Sequence, residues 1–203
     1  MKYQDKSLKY FIDKLAAKTS TPGGGSVAAT LGALGCGLLC MVANYTLSGK
    51  GFNGYKERAQ KALKKSDDLR KKLTDLIDKD IIAYEALSKS FKANKDNPAK
   101  LQTSYKRAAT PPFKMCGYIY KAALSALELS YVSTEYLISD LAVAINTLDA
   151  AFEAALVNVN INVKYIKDKK FIIEKTQICT ELHRDIKRLK RQVLSNTRER
   201  MHS

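Results

Sequence analysis

With 203 residues, 45% of them hydrophobic and 27% charged, the chain can bury one well-formed core and is too short for more than two small domains. Its 35 Lys and Arg against 20 Asp and Glu give a formal charge of +15, which implies attraction to anionic partners, nucleic acid and polyanionic small molecules alike. Lys2, Asp5, Lys6 and Lys9 interrupt any apolar run that a secretory leader would need, and the four cysteines show no CxxC spacing, so a reducing cytoplasm is expected.

Helical periodicity runs through nearly the whole chain, and β-rich runs bounded by turns are missing. A first helix is predicted from Asp5 to Lys18. A second starts after Pro22 to Gly25 and runs to Leu47, ending at the glycine stop Ser48-Gly49-Lys50-Gly51. A long third helix covers Tyr55 to Ala93 and breaks at Asn94 to Pro98. A shorter piece ends before Pro111-Pro112, where the prolines lack the N–H that a helix interior needs. Further helices are predicted from Phe113 to Ser130, from Thr134 to Tyr165 and from Lys169 to Arg198, the last one basic and amphipathic. With no repeat and no low-complexity linker, the expectation is one all-α domain over residues 1–203, an up-and-down antiparallel bundle around a small-residue central helix.

That central helix carries the most informative stretch, Thr21-Pro22-Gly23-Gly24-Gly25-Ser26. Three successive glycines carry a large backbone entropy cost, and a helix start needs only one Ser, Thr, Asp or Asn as a cap. Something therefore approaches the backbone closely here, either a ligand or another helix. Downstream, Gly25, Ala28, Gly32, Gly35, Cys36 and Ala43 recur at three- and four-residue intervals, a face that admits close helix packing. No charge stands between Lys18 and Lys50, yet much of the stretch is Gly, Ala, Ser, Thr and Asn, so a buried central helix is expected rather than a membrane span.

Elimination narrows the chemistry. The chain has only two histidines, His183 and His202, so a three-histidine metal site is impossible, and no Cys/His spacing resembles a zinc motif. The glycine run is not a P-loop, because no GK[ST] closes it. A carboxylate is left as the acid–base candidate. Asp80 shares a helical face with Leu73, Leu76, Ile77, Ala83, Tyr84 and Leu87, whereas Asp75 and Asp78 sit off that line. A carboxyl in an apolar stripe loses hydration and titrates nearer neutrality, which suits a general acid or base; it also suits a structural carboxylate bonded to a helix end. Asp140 repeats the pattern among Tyr136, Leu137, Val143 and Ala144. Asn158 and Asn162 share a face with Ala151, Ala154, Ala155 and Ile161, either as a polar groove able to bond a heterocycle or as buried amides tying helices together.

Four segments in this order resemble the formiminotransferase-cyclodeaminase C-terminal domain and the free-standing methenyltetrahydrofolate cyclohydrolases. They are Thr21 to Thr46 with Gly49-Lys50, Leu76 to Tyr84, Ser139 to Ala144, and Asn158 to Asn162. An asparagine often found shortly before the Ser-Asp pair is absent, with Ser133-Thr134-Glu135 in its place. The resemblance implies an all-helical cytoplasmic homodimer acting on a one-carbon tetrahydrofolate, with no metal, nucleotide or other cofactor and no membrane. Asp80 matches the family's catalytic position. Pro22, Gly23, Gly24, Gly25, Ser26, Thr46, Lys50, Asp140, Asn158 and Asn162 fall on its recurrent motifs and are expected to bind substrate. The leading expectation is methenyltetrahydrofolate cyclohydrolase, with formiminotetrahydrofolate cyclodeaminase as the alternative and a folate, polyglutamylated or not, as substrate. A more remote alternative is a nucleic-acid-binding protein using Lys187, Arg188, Lys190 and Arg191.

Overall fold

The computed structural model describes residues 2–49, 53–93 and 97–201. Among these it is all-α: six α-helices, α1 (Leu8–Ala16), α2 (Gly24–Ser48), α3 (Asn53–Ala93), α4 (Pro98–Val132), α5 (Ile138–Val163) and α6 (Lys169–Met201), with short 3-10 turns before α1 and α5. Helices α2 to α6 alternate in direction. α4 packs behind α2 and α5, which lie side by side, while α3 and α6 flank that pair. Local chemistry sets the boundaries. Ser7 caps α1 through its Oγ, which accepts from the Tyr10 N–H at 3.2 Å, so the first helix starts later than Asp5. Asn97 caps α4 by accepting from the Lys100 N–H, and Asp168 caps α6 by accepting from the Phe171 N–H, both at 3.1 Å. The expected break at Asn94 to Asp96 and the stop at Lys50-Gly51 lie outside the described residues.

The expected break at Pro111-Pro112 does not occur: α4 runs through both prolines. Each interior proline removes a backbone hydrogen bond at roughly 3 kcal/mol. Both rings are buried in the bundle, and tertiary packing overrides the local preference.

The core is built on α2. Leu39 and Val42 are fully buried against Leu73, Ile119, Leu148 and Phe152 from the surrounding helices. Close packing depends on two glycines: a Cβ at Gly32 would lie 3.2 Å from Leu73 and Ile119, and one at Gly35 would lie 2.8 Å from Leu148. Gly35→Ala is therefore expected to destabilise by about 1–3 kcal/mol through overpacking. Gly117→Ala in α4, where a Cβ meets nothing within 4 Å, is expected to stabilise by about 0.5–1 kcal/mol through its lower unfolded-state entropy. Opposite shifts in urea midpoints check the pair.

α6 is fastened by charge. Asp149, nearly buried on α5, accepts from Lys187 at 2.7 Å and Lys190 at 2.8 Å, and Lys187 also reaches Glu153 at 2.6 Å. Burial works to raise the Asp149 carboxyl, but hydrogen bonds from the two ammonium groups prevail and hold it below the usual carboxylate range. Two of the four cations considered for nucleic-acid binding are thus engaged within the bundle.

Candidate active site

At one end of the bundle the start of α2, the last third of α3, the start of α4 and the end of α5 converge on a cleft of about 660 Å³. That volume suits a drug-sized organic ligand. Thr21, Gly23, Gly24 and Gly25 form one wall, Asp80 and Tyr84 come from α3, and Asn158 and Asn162 come from α5.

The glycine run is explained by what it faces. A Cβ on Gly25 would stand 2.2 Å from Asp80 Oδ1 and 2.3 Å from Oδ2, so the carboxylate occupies the space that any other residue would fill. A Cβ on Gly24 would approach the Asn158 carboxamide at 3.4 Å. Gly23 is different: its backbone is extended and a Cβ would meet nothing within 4 Å. Ser26 fixes the register by donating from Oγ to the Ile77 carbonyl at 3.2 Å, one turn before Asp80. Its backbone N–H bonds the Asp80 carboxylate.

Desolvation by the surrounding apolar wall pushes the Asp80 carboxyl up to about 6, and the Ser26 N–H offsets this only in part because it favours the ionised form. The result is a group that exchanges protons near neutrality while facing an open cleft. Asp78, two residues earlier, shows that position on α3 decides the role. It is buried under the N-terminal segment, accepting from the Tyr3 N–H at 2.7 Å and the Gln4 N–H at 3.3 Å, and serves the fold. Asn158 and Asn162 each donate an amide hydrogen to a carbonyl of their own helix, Ala154 and Asn158 respectively, both at 2.8 Å. Their carboxamide oxygens remain as acceptors at the cleft.

The opposite wall is aromatic. Phe91 meets Tyr105 edge-on at 5.5 Å, and Tyr105 stacks on Tyr165 at 5.4 Å and 15°. Gln102 clamps the Tyr165 segment by donating to its carbonyl at 2.9 Å and accepting from the Lys167 N–H at 2.7 Å. Sequence reasoning missed this wall, whose members come from three separate segments with no shared spacing; the only signal was the abundance of tyrosine.

Several expected binding residues lie elsewhere. Pro22 is buried beside the cleft wall, after a cis Thr21–Pro22 peptide bond. Thr46 sits 22 residues along α2 from Gly24, about 33 Å away, with its hydroxyl donated to the Val42 carbonyl at 2.8 Å. Asp140 is on the first turn of α5, 18 residues and about 27 Å from Asn158. Neither belongs to this chain's own cleft. Lys50 lies outside the described residues. Among the described residues, no three His, Cys, Asp or Glu side chains cluster so as to hold a metal ion.

Comparison with known proteins identifies the family and the fold. A family model described as Formiminotransferase-cyclodeaminase matches residues 7–181. A methenyltetrahydrofolate cyclohydrolase of Methylorubrum extorquens is 30% identical over 182 residues, covering 84% of this chain and 86% of that protein. The formimidoyltransferase-cyclodeaminase of Mus musculus is also 30% identical, over 82% of this chain; the chain spans only 32% of that longer protein. A formiminotetrahydrofolate cyclodeaminase from Thermotoga maritima has the same architecture, with a TM-score of 0.92, 31% identity, and coverage of 97% of this chain and 98% of that one. The chain belongs to the formiminotransferase-cyclodeaminase family.

Proposed function

We propose that the chain is a one-carbon folate enzyme, a methenyltetrahydrofolate cyclohydrolase working without metal or other cofactor. The observation that carries this reading is the Asp80 carboxylate, held against the Gly25 backbone in the wall of the cleft and pushed up to about 6 by desolvation. Water adds to the methenyl carbon between N5 and N10 and gives one proton to Asp80. The tetrahedral adduct then breaks its bond to N5, which takes the proton back from Asp80. The carbinol proton leaves to solvent as the N10 formyl group forms. The pterin ring would stack on the tyrosine wall, with its N–H groups donating to the Asn158 and Asn162 oxygens.

The glutamate tail of the folate, polyglutamylated or not, would leave the cleft past Leu87 into the adjoining groove between α3 and α4, where Lys79, Lys89 and Arg107 stand. A cytoplasmic location and a homodimer complete the proposal. The Thermotoga maritima relative supports a second reading, cyclodeaminase, in which N10 attacks the formimino carbon and Asp80 protonates the departing ammonia.

One spectrophotometric experiment separates the two. Supplied with methenyltetrahydrofolate, the purified chain is expected to make the methenyl absorbance fall; supplied with formiminotetrahydrofolate, a cyclodeaminase would make it rise. No change with either substrate overturns both readings.

A further inference from the structure

The chain carries 35 Lys and Arg, yet among the described residues none of them lines the cleft. What the cleft offers is electron-rich: the Asp80 carboxylate, the Asn158 and Asn162 oxygens, and the rings of Tyr84, Phe91 and Tyr165. Thr21 Oγ1 reaches Glu85 at 3.5 Å, which sets a second carboxylate at the rim. The start of α2 brings the positive end of a helix dipole, but Asp80 already sits on it through the Ser26 N–H, so a second anion gains little there.

The rings point the same way. Elsewhere on the chain, tyrosines hold a cation of the protein itself: Lys14 lies 5.6 Å from the Tyr10 ring, Lys72 5.7 Å from Tyr118 and Arg58 5.4 Å from Tyr131. Tyr84 and Phe91 are nearly half exposed at the cleft and have no such cation among the described residues. Tyr165 meets Lys164 only at 5.9 Å, close to the outer limit of a cation–π contact. Beyond Leu87, which the cleft shares with the groove between α3 and α4, the balance reverses: Lys79, Lys89 and Arg107 line the groove, and among the described residues no Asp or Glu does. Cleft and groove together form one bipolar surface.

We propose that the cleft selects a planar ring system bearing a positive charge, tethered to an anionic tail that the groove holds, and discriminates against an uncharged ring of the same shape. The selection deepens the folate reading and rests on it for the identity of the ring alone. Methenyltetrahydrofolate carries one positive charge shared by N5, the methenyl carbon and N10, and a formimino group is protonated at neutral pH, so both candidate substrates belong to this class. Hydration of the methenyl cation consumes one water, leaves an uncharged formyl group and releases one proton. The charge that holds the substrate is then absent from the product, so one set of side chains binds the first and frees the second.

Two probes test the selection on the intact chain at pH 8, where the Asp80 carboxyl, pushed up to about 6, is ionised. Both carry a triglutamate tail; one has a 1-methylquinolinium ring and the other an uncharged quinoline. Calorimetric titration is expected to show the cationic probe binding tighter by about tenfold or more. Asp80→Asn should cut that preference to about threefold or less, and Tyr84→Leu should lower it by about two- to fivefold. Arg107→Gln should weaken both probes alike, by about two- to fivefold, and leave their ratio unchanged. Equal affinity for the two probes, tighter binding of quinoline, no measurable binding of either at millimolar concentration, or a preference that survives Asp80→Asn in a folded variant overturns the proposal. Where a variant fails to fold, the ratio measured on the parent decides. A parent that prefers the cation yet turns over neither folate retires the folate reading and leaves the selection standing; turnover with no preference between the probes does the reverse.

Discussion

Asp80→Asn is expected to lower turnover by about 10²–10⁴-fold, the usual contribution of a positioned acid–base group, while the helical circular dichroism spectrum stays unchanged. The parent's kcat/KM should fall on the acid side with a midpoint near 6, where the Asp80 carboxyl protonates and loses its capacity to accept a proton from water. The variant should lack that limb. Stability runs the other way. Because the folded-state pKa is raised above the ordinary carboxylate value, the stability tied to this group is fullest below about pH 4 and declines as pH rises through about 6. At pH 8 the Asn variant, which carries no poorly hydrated charge, should melt no lower than the parent. A variant with full activity, or an acid limb that survives the substitution, would remove Asp80 from the chemistry.

Gly25→Ala should be nearly as damaging to activity and worse for stability. The new methyl group would sit 2.2 Å from one carboxylate oxygen and 2.4 Å from the carboxyl carbon, so either Asp80 or the start of α2 must move. Displacing the carboxylate removes it from the Ser26 N–H and from the reacting carbon, and misplacement on the scale of 1 Å can lower rates about 10²-fold. The overpacking itself is expected to destabilise by about 1–3 kcal/mol, or several degrees in Tm. A double-mutant cycle identifies the cause: in an Asp80→Ala background, Gly25→Ala should lose most of its effect on stability, because the contact no longer exists. A full effect in that background would place the strain in the helix start and not in the carboxylate contact.

Much of the candidate site was legible in the sequence. Asp80 stood out because a carboxylate in an apolar 3.6-residue stripe breaks a pattern, and Asn158 and Asn162 because a four-residue interval keeps both on one face of α5. Asp78 shows where such reading stops. It looked peripheral, and is in fact buried beneath backbone that folds over it from 75 residues away. The run through Pro111 and Pro112 eluded sequence reasoning for the same reason, since a local rule predicts a break and burial in the bundle overrides it. The tyrosine wall had no local signature at all.

By itself the sequence determined the helical class, most of the long helices (though it divided α4 in two at Pro111-Pro112), the glycine run and the carboxylate that stands in an apolar stripe, because periodicity and residue chemistry act over a few residues and leave a local imprint. Only the tertiary structure decided what the glycines are for. Gly25 makes room for Asp80, Gly24 lies against Asn158, and Gly32 and Gly35 admit Leu73, Ile119 and Leu148. Those partners come from other helices, and an encounter between residues more than 40 positions apart is set by how whole helices pack. The same holds for Asp140. Its side chain could be picked out from its neighbours in sequence, but its distance from the cleft of its own chain is a property of the assembled bundle.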